Sequence, residues 1–288
     1  MTTTGKAVLT CVDGSIYTDS VCQHAAWASQ RLSAPVHLIH VSTPPLSYDG
    51  PADYSGSLRV GEMSTLLEKL TEVDEARGKL DHRKGELIVE HARAVLGAAG
   101  SPPREVLHRR GSLVETLAEQ EAAAQLIVLG KRGEHADFAT LHLGANLERV
   151  VRAAHVPLLV AARAFSGIEH FAIAYDGGPS SEKALAYIVS SPLLRGLVCH
   201  LIMVGQDSAE RRGELASVAD KLTKHGFEVK THLQMGRPNE VIAAYCEANA
   251  ISLLVMGAYG HSRIRTFVIG STTSAMIRSC HIPVLLFR

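Results

Sequence analysis

Met256-Gly257-Ala258-Tyr259-Gly260-His261-Ser262, followed by Gly270-Ser271-Thr272 with nine residues between Gly260 and Gly270, is the stretch whose residue types and spacing could do chemistry. It follows Ile251-Ser252-Leu253-Leu254-Val255, an apolar run that reads as a buried strand. Glycines at the carboxyl end of such a strand let the backbone turn tightly and approach a ligand closely. The spacing predicts that Gly270 opens a helix over 271–279, with the hydroxyls of Ser271 and Thr272 in its first turn. Unsatisfied N–H groups at a helix start favour an anion, typically phosphate. A glycine-rich turn without any ligand is the plain alternative, since short glycine motifs match often by chance. His261, next to Gly260, could stack on or hydrogen-bond a ribose or phosphate, whereas the other histidines read as surface or satisfied core residues.

The elements that must position this loop occur twice. Lys6-Ala7-Val8-Leu9-Thr10-Cys11-Val12-Asp13-Gly14-Ser15 reads as a strand ending in an acidic turn, and Phe171-Ala172-Ile173-Ala174-Tyr175-Asp176-Gly177-Gly178 repeats it. Asp13 and Asp176 are 163 residues apart, as are Val41 and Val204 at the ends of the next apolar runs. Gly130-Lys131-Arg132-Gly133 corresponds to Gly257-Ala258-Tyr259-Gly260, and Gly144 to Gly270; both of these last glycines precede a proline, Pro157 or Pro283, by thirteen steps. The chain therefore divides into two copies, residues 1–163 and 170–288. Strands alternating with helix-length amphipathic segments, the first helices over 20–31 and 181–189, imply an α/β fold with a doubly wound parallel sheet in each copy. In such sheets ligands sit beyond the carboxyl ends of the strands. Asp13, Val41 and Gly130 fall there in copy one, and Asp176, Val204 and Gly257 in copy two.

Copy one carries extra length between about 42 and 100. It begins loop-like and continues over 62–96 as a charged segment with apolar residues at roughly helical spacing, which reads as a long surface helix or, alternatively, as an element that covers a partner.

Composition excludes several classes of function. Basic and acidic side chains balance at 29 each, leaving no excess to hold a nucleic acid. No apolar run has the length of a membrane span, and the first residues lack the apolar stretch of a secretory signal. Cys11, Cys22, Cys199, Cys246 and Cys280 are scattered without a Cys-x-x-Cys pair and read as small core residues. The expectation is a cytoplasmic protein.

Gly257, Gly260, Gly270 and Ser271 reproduce Gly-x2-Gly-x9-Gly-[Ser/Thr], and with Asp13-Gly14-Ser15 and the closing Pro-[Val/Leu]-Leu strands the chain resembles a tandem universal stress protein over nearly its whole length. That resemblance implies a Rossmann-like, adenine nucleotide alpha hydrolase-like domain with five parallel strands, repeated. It implies a stress-response role and binding of ATP, or of ADP or AMP. Asp176 and Gly177 would lie on the adenine or ribose side with the backbone of Val204, and Met256 would pack near the ribose or base. Gly257 and Gly260 would run beneath the phosphates, with Gly270, Ser271 and Thr272 on the distal ones. A Mg²⁺ ion can bridge phosphates of this kind, since hard cations prefer oxygen ligands. The resemblance also implies that the two copies pair through their closing strands as a pseudo-dimer, with homodimers and a protein partner left open.

Copy one departs from the pattern. Ten residues separate Gly133 from Gly144, Ala145-Asn146 replace the hydroxyls, and Glu134 and Asp137 enter the loop, although Lys131 and Arg132 offset that charge. Asp13, Val41, Gly130, Gly133 and Gly144 are thus expected to form a weak second site at most. No fixed general base is visible for ATP hydrolysis, so a nucleotide-binding sensor is the leading expectation. A slow ATPase drawing on His261, Arg263 and Arg265 is the first alternative, and a scaffold without nucleotide the second.

Overall fold

The computed structural model describes residues 6–42, 60–132, 144–259 and 269–288. Copy one runs β1 (Ala7–Val12), α1 (Thr18–Leu32), β2 (Val36–Ser42), α2 (Val60–Ala98), β3 (Glu105–Arg110), α3 (Leu113–Gln120), β4 (Ala124–Gly130), α4 (Ala145–Ala153) and β5 (Leu158–Ala161). Copy two runs β6 (His170–Ala174), α5 (Pro179–Ser190), β7 (Val198–Val204), α6 (Ala209–Lys224), β8 (Val229–Gln234), α7 (Pro238–Ala248), β9 (Leu253–Gly257), α8 (Ser271–Ser279) and β10 (Val284–Phe287). The helix expected after Gly270 therefore forms over the expected residues.

The strands lie in the order β3-β2-β1-β4-β5-β10-β9-β6-β7-β8. Within each copy neighbouring strands are parallel. Every residue of β1 is buried, because helices cover both faces of a doubly wound sheet; this is why its sequence is a continuous apolar run rather than an alternation. The outer strands β3 and β8 are partly exposed and carry Glu105, Arg109, Arg110 and Lys230, charges that suit an unpaired edge.

The copies join where β5 and β10 pair antiparallel, with Val284 opposite Val160, Leu285 opposite Leu159 and Leu286 opposite Leu158. The closing strands thus pair as the family resemblance implies. They are edges only of an isolated copy; in the chain they are the two central strands, and Pro157 and Pro283 stand just before them, where a missing N–H costs no ladder bond.

Each side of the sheet carries one apolar layer that continues across both copies. Val21, Leu38, Leu96, Phe171, Leu185 and Leu222 belong to the layer under α1, α2, α5 and α6. Leu117, Val150, Ile242, Met256, Met276 and Leu286 belong to the layer under α3, α4, α7 and α8. A polar bond adds to the seam, from Arg31 Nε to the Leu193 carbonyl at 2.8 Å; within copy one the Ser20 hydroxyl donates to the Ala162 carbonyl at 2.7 Å.

The extra segment of copy one contains α2, 39 residues long, which packs through Val89, Ala92 and Leu96. Val73, Leu80 and Leu87 remain on its outer surface. Of the loop-like stretch expected over 42–61, Ser42 ends β2, residues 60 and 61 begin α2, and 43–59 lie outside the described residues.

Candidate functional site

The strand order of each copy reverses between its first and fourth strands, which opens a crevice at their carboxyl ends. In copy two this is the junction of β6 and β9, where Ala174 is opposite Met256, so the backbone after β6 emerges beside Gly257. Gly177 turns there with φ +73°, a conformation costly for any residue with a Cβ. Asp176 Oδ1 accepts from the Gly178 N–H at 2.9 Å and from the Ser181 hydroxyl at 2.8 Å. The carboxylate therefore pins the turn that starts α5 while its residue stays exposed on the rim. Asp13 does the same before α1: its Oδ1 accepts from the Ser15 N–H at 3.1 Å, and Gly14 also has φ +73°.

Val204, half-buried at the end of β7, presents its carbonyl to the rim. Arg211 Nη1 donates to that oxygen at 3.3 Å, and its guanidinium lies across Gly205. Glu214, one turn further along α6, reaches to within 2.7 Å of where a side chain on Gly177 would begin. Tyr175 donates to Glu182 Oε1 at 2.6 Å; burial and these two acids push the phenol well above its usual range. Arg211 and Glu214 went unread in the sequence. They lie on a helix outside the motif, and the closest available signal was Ser208, whose hydroxyl caps α6.

Gly257 serves packing as well as any ligand. A Cβ built there would stand 2.7 Å from the Ser180 Cβ, so the missing side chain lets the start of α5 lie against β9. Met256 is 5% exposed within the apolar layer and lies beneath the rim rather than on it. Gly260 and His261 fall outside the described residues, as do Arg263 and Arg265.

Gly270 is the N-cap of α8 and its own N–H donates to the Ala258 carbonyl at 3.1 Å. The next three amides, those of Ser271, Thr272 and Thr273, have no acceptor within the helix. Ser271 is exposed and Thr272 half-buried. Thr273, which was not read from the sequence, gives its hydroxyl to the Gly257 carbonyl at 3.0 Å and so ties the helix start to the strand end. The first turn of α8 contains no acidic residue. Its amides and hydroxyls are directed donors without opposing charge, a combination suited to an anion such as phosphate. Among the described residues no group of three or more His, Cys, Asp or Glu side chains is arranged to hold a metal. A Mg²⁺ ion at this rim would therefore take its oxygens chiefly from the phosphates themselves.

The crevice of copy one is built from the same backbone with different side chains. Asp13, Val41 and Gly130 occupy the rim, and Gly144 caps α4. Where copy two has Ser180 over Gly257, copy one has Tyr17, whose Cβ is 2.8 Å from where a Gly130 side chain would begin. The first turn of α4 holds Glu148, which opposes an anion at the very amides that would bind it. Gly133, Glu134 and Asp137 lie outside the described residues. Lys131 does not serve its own copy's loop: it is buried and donates to the carbonyl of Cys280 in copy two.

The sequence model of the Universal stress protein family matches residues 5–162 and 167–288, one match for each copy. This chain belongs to the universal stress protein family. The universal stress protein Slr1230 of Synechocystis sp. is 37% identical over 286 residues, spanning 98% of this chain and 100% of that protein. A universal stress protein of Mycolicibacterium smegmatis is 25% identical over 304 residues and 99% of this chain. The crystal structure of a universal stress protein from Archaeoglobus fulgidus superposes with TM-score 0.69 at 21% identity, covering 98% of this chain and 96% of that one, so the tandem fold is shared. The universal stress protein described here places a crevice at the carboxyl ends of the parallel strands of each copy.

Proposed function

We propose that this universal stress protein binds an adenine nucleotide, ATP or its ADP or AMP forms, in the crevice of copy two, and acts as a cytoplasmic sensor or regulator in a stress response. The observation that carries the reading is the start of α8, where Gly270, Ser271 and Thr272 combine a bare N-cap, hydroxyls and no acidic residue. Phosphates would lie against those amides, with Gly257 and Gly260 beneath them. The base would lie toward Val204, and the ribose toward Asp176 and Gly177. Copy one, with Glu148 and Tyr17 in the matching places, binds weakly or not at all.

Calorimetry of the full chain with ATP, ADP and AMP, alongside a Ser271→Glu variant, tests the reading. One strong site in the native chain that is lost in the variant is expected. Equal heats in both, or no binding by the native chain, would reject it. Mass spectrometry of small molecules released from freshly purified protein identifies the nucleotide carried in the cell, and chromatographic product analysis over hours measures any hydrolysis.

A further inference from the structure

The ammonium of Lys131 crosses from copy one into copy two and donates to the carbonyl of Cys280, the C-cap residue of α8. Only 8% of Lys131 is exposed. Arg31 also reaches copy two, donating to the carbonyls of Leu193 and Arg195, but it is only half-buried. The register of the two copies puts Ala258 at the matching place, so α4 receives no equivalent cation from copy two. The helix bearing the acid-free first turn is therefore also the one whose carboxyl end is held by a buried charge from the other copy.

The last carbonyls of a helix carry partial negative charge and lack acceptable donors within the helix, so a cation there stabilises it. Nine residues is short for a helix that must hold its own geometry. α8 is anchored at one end by Thr273 to Gly257 and at the other by Lys131 to Cys280, and its first turn lies about 13 Å from the second anchor at 1.5 Å per residue.

We infer that Lys131 is a positioning residue through which copy one fixes the anion-binding end of α8 in copy two. The inference rests on the nucleotide reading of that end, deepens it, and gives the degenerate copy a role in the intact copy's affinity. Among the described residues, the ionisable groups that act on Lys131 are Arg132 beside it, His24 from α1 and the Cys280 thiol at the end of α8. Burial lowers the ammonium to about 8, with Cys280 opposing and Arg132 adding to the shift. Burial keeps His24 neutral, at about 4, and raises the Cys280 thiol above its usual value. A rise from neutrality to pH 9 passes through the Lys131 value and removes its charge.

The test is calorimetry of the full chain with ATP at pH 7 and pH 9, for the native protein, Lys131→Met and Lys131→Arg, with hydrogen exchange of the 271–276 amides in the absence of nucleotide. The native chain is expected to bind ATP about three- to tenfold more weakly at pH 9 than at pH 7. Lys131→Met should show the weaker affinity at both pH values and faster exchange in α8. Lys131→Arg should keep the tighter affinity at both. Equal affinity and pH dependence in native and Lys131→Met chains would overturn the inference while leaving nucleotide binding intact. If the native chain binds no nucleotide, the functional reading falls by itself; exchange in α8 then decides, and unchanged protection in Lys131→Met removes the inference too.

Discussion

Ser180 and Gly257 meet so closely that a Cβ on the glycine would stand 2.7 Å from that of the serine. The first glycine of the Gly-x2-Gly-x9-Gly-[Ser/Thr] motif thus serves the packing of α5 on β9 whether or not a ligand is present. Gly257→Val is expected to destabilise the chain by about 1–3 kcal/mol, since an added branched side chain would force α5 away from β9. Thermal or denaturant unfolding checks this, and an unchanged midpoint would show that the contact yields easily. A loss of ATP binding in a Gly257 variant therefore does not by itself identify a phosphate contact. Gly260→Val remains an informative change, expected to abolish ATP binding with little loss of stability.

Ser271→Glu separates function from fold in the opposite way. A carboxylate in the first turn of α8 faces the positive end of the helix and should stabilise it by about 0.3–1 kcal/mol. The same charge should weaken ATP binding at least tenfold, because it would occupy the position proposed for the phosphates. Higher unfolding temperature with lower affinity is the expected pair of outcomes; undiminished affinity would place the nucleotide elsewhere.

Arg211 lies on the Val204 carbonyl, the oxygen nearest the expected base position. A base that hydrogen-bonds that carbonyl competes with the guanidinium for it. Arg211→Ala is expected to tighten AMP binding about two- to fivefold, as it removes a hydrogen bond of ordinary strength that competes with the ligand. Weaker binding in the variant would instead make Arg211 a contact of the base or phosphate.

His24 is fully buried, its Nδ1–H donates to the Ser20 carbonyl at 2.7 Å, and burial lowers its protonation to about 4. Because its folded-state value lies below the ordinary 6.5, the unfolded chain binds the proton more readily between those two values. Stability from this group is complete above pH 6.5 and falls as the pH drops toward 4. Urea unfolding at pH 7 and pH 5 should show the native chain losing about 1–2 kcal/mol more than a His24→Gln variant does. Parallel losses in the two proteins would assign the acid sensitivity to other groups.

Glu148 and Tyr17 account for the expected silence of copy one, and they can be changed together. Glu148→Ser with Tyr17→Ser restores at both places the residue types of copy two. A second, weak ATP site is the expected result in calorimetry, visible when Ser271→Glu has closed the first. Continued absence of heat would mean that residues 133–143 alone prevent binding.

Much of this molecule was legible in the order of its residues. Apolar runs separated by helix-length segments, matched 163 residues apart at Asp13 and Asp176, require two parallel α/β units, because local periodicity determines which backbone hydrogen bonds a segment can satisfy. Gly270 followed by Ser271 marks a helix start for an equally local reason, as the first amides of any helix lack partners. Contacts between distant residues had no such local signature. That β5 and β10 meet antiparallel at the centre of one sheet, that Tyr17 takes the place of Ser180 over a glycine, that Arg211 covers the Val204 carbonyl and that Lys131 reaches Cys280, 149 residues away, were decided only when both apolar layers closed. Hydrophobic pattern specifies which faces must be buried, whereas the atom that each polar side chain meets depends on how the two copies pack across the seam.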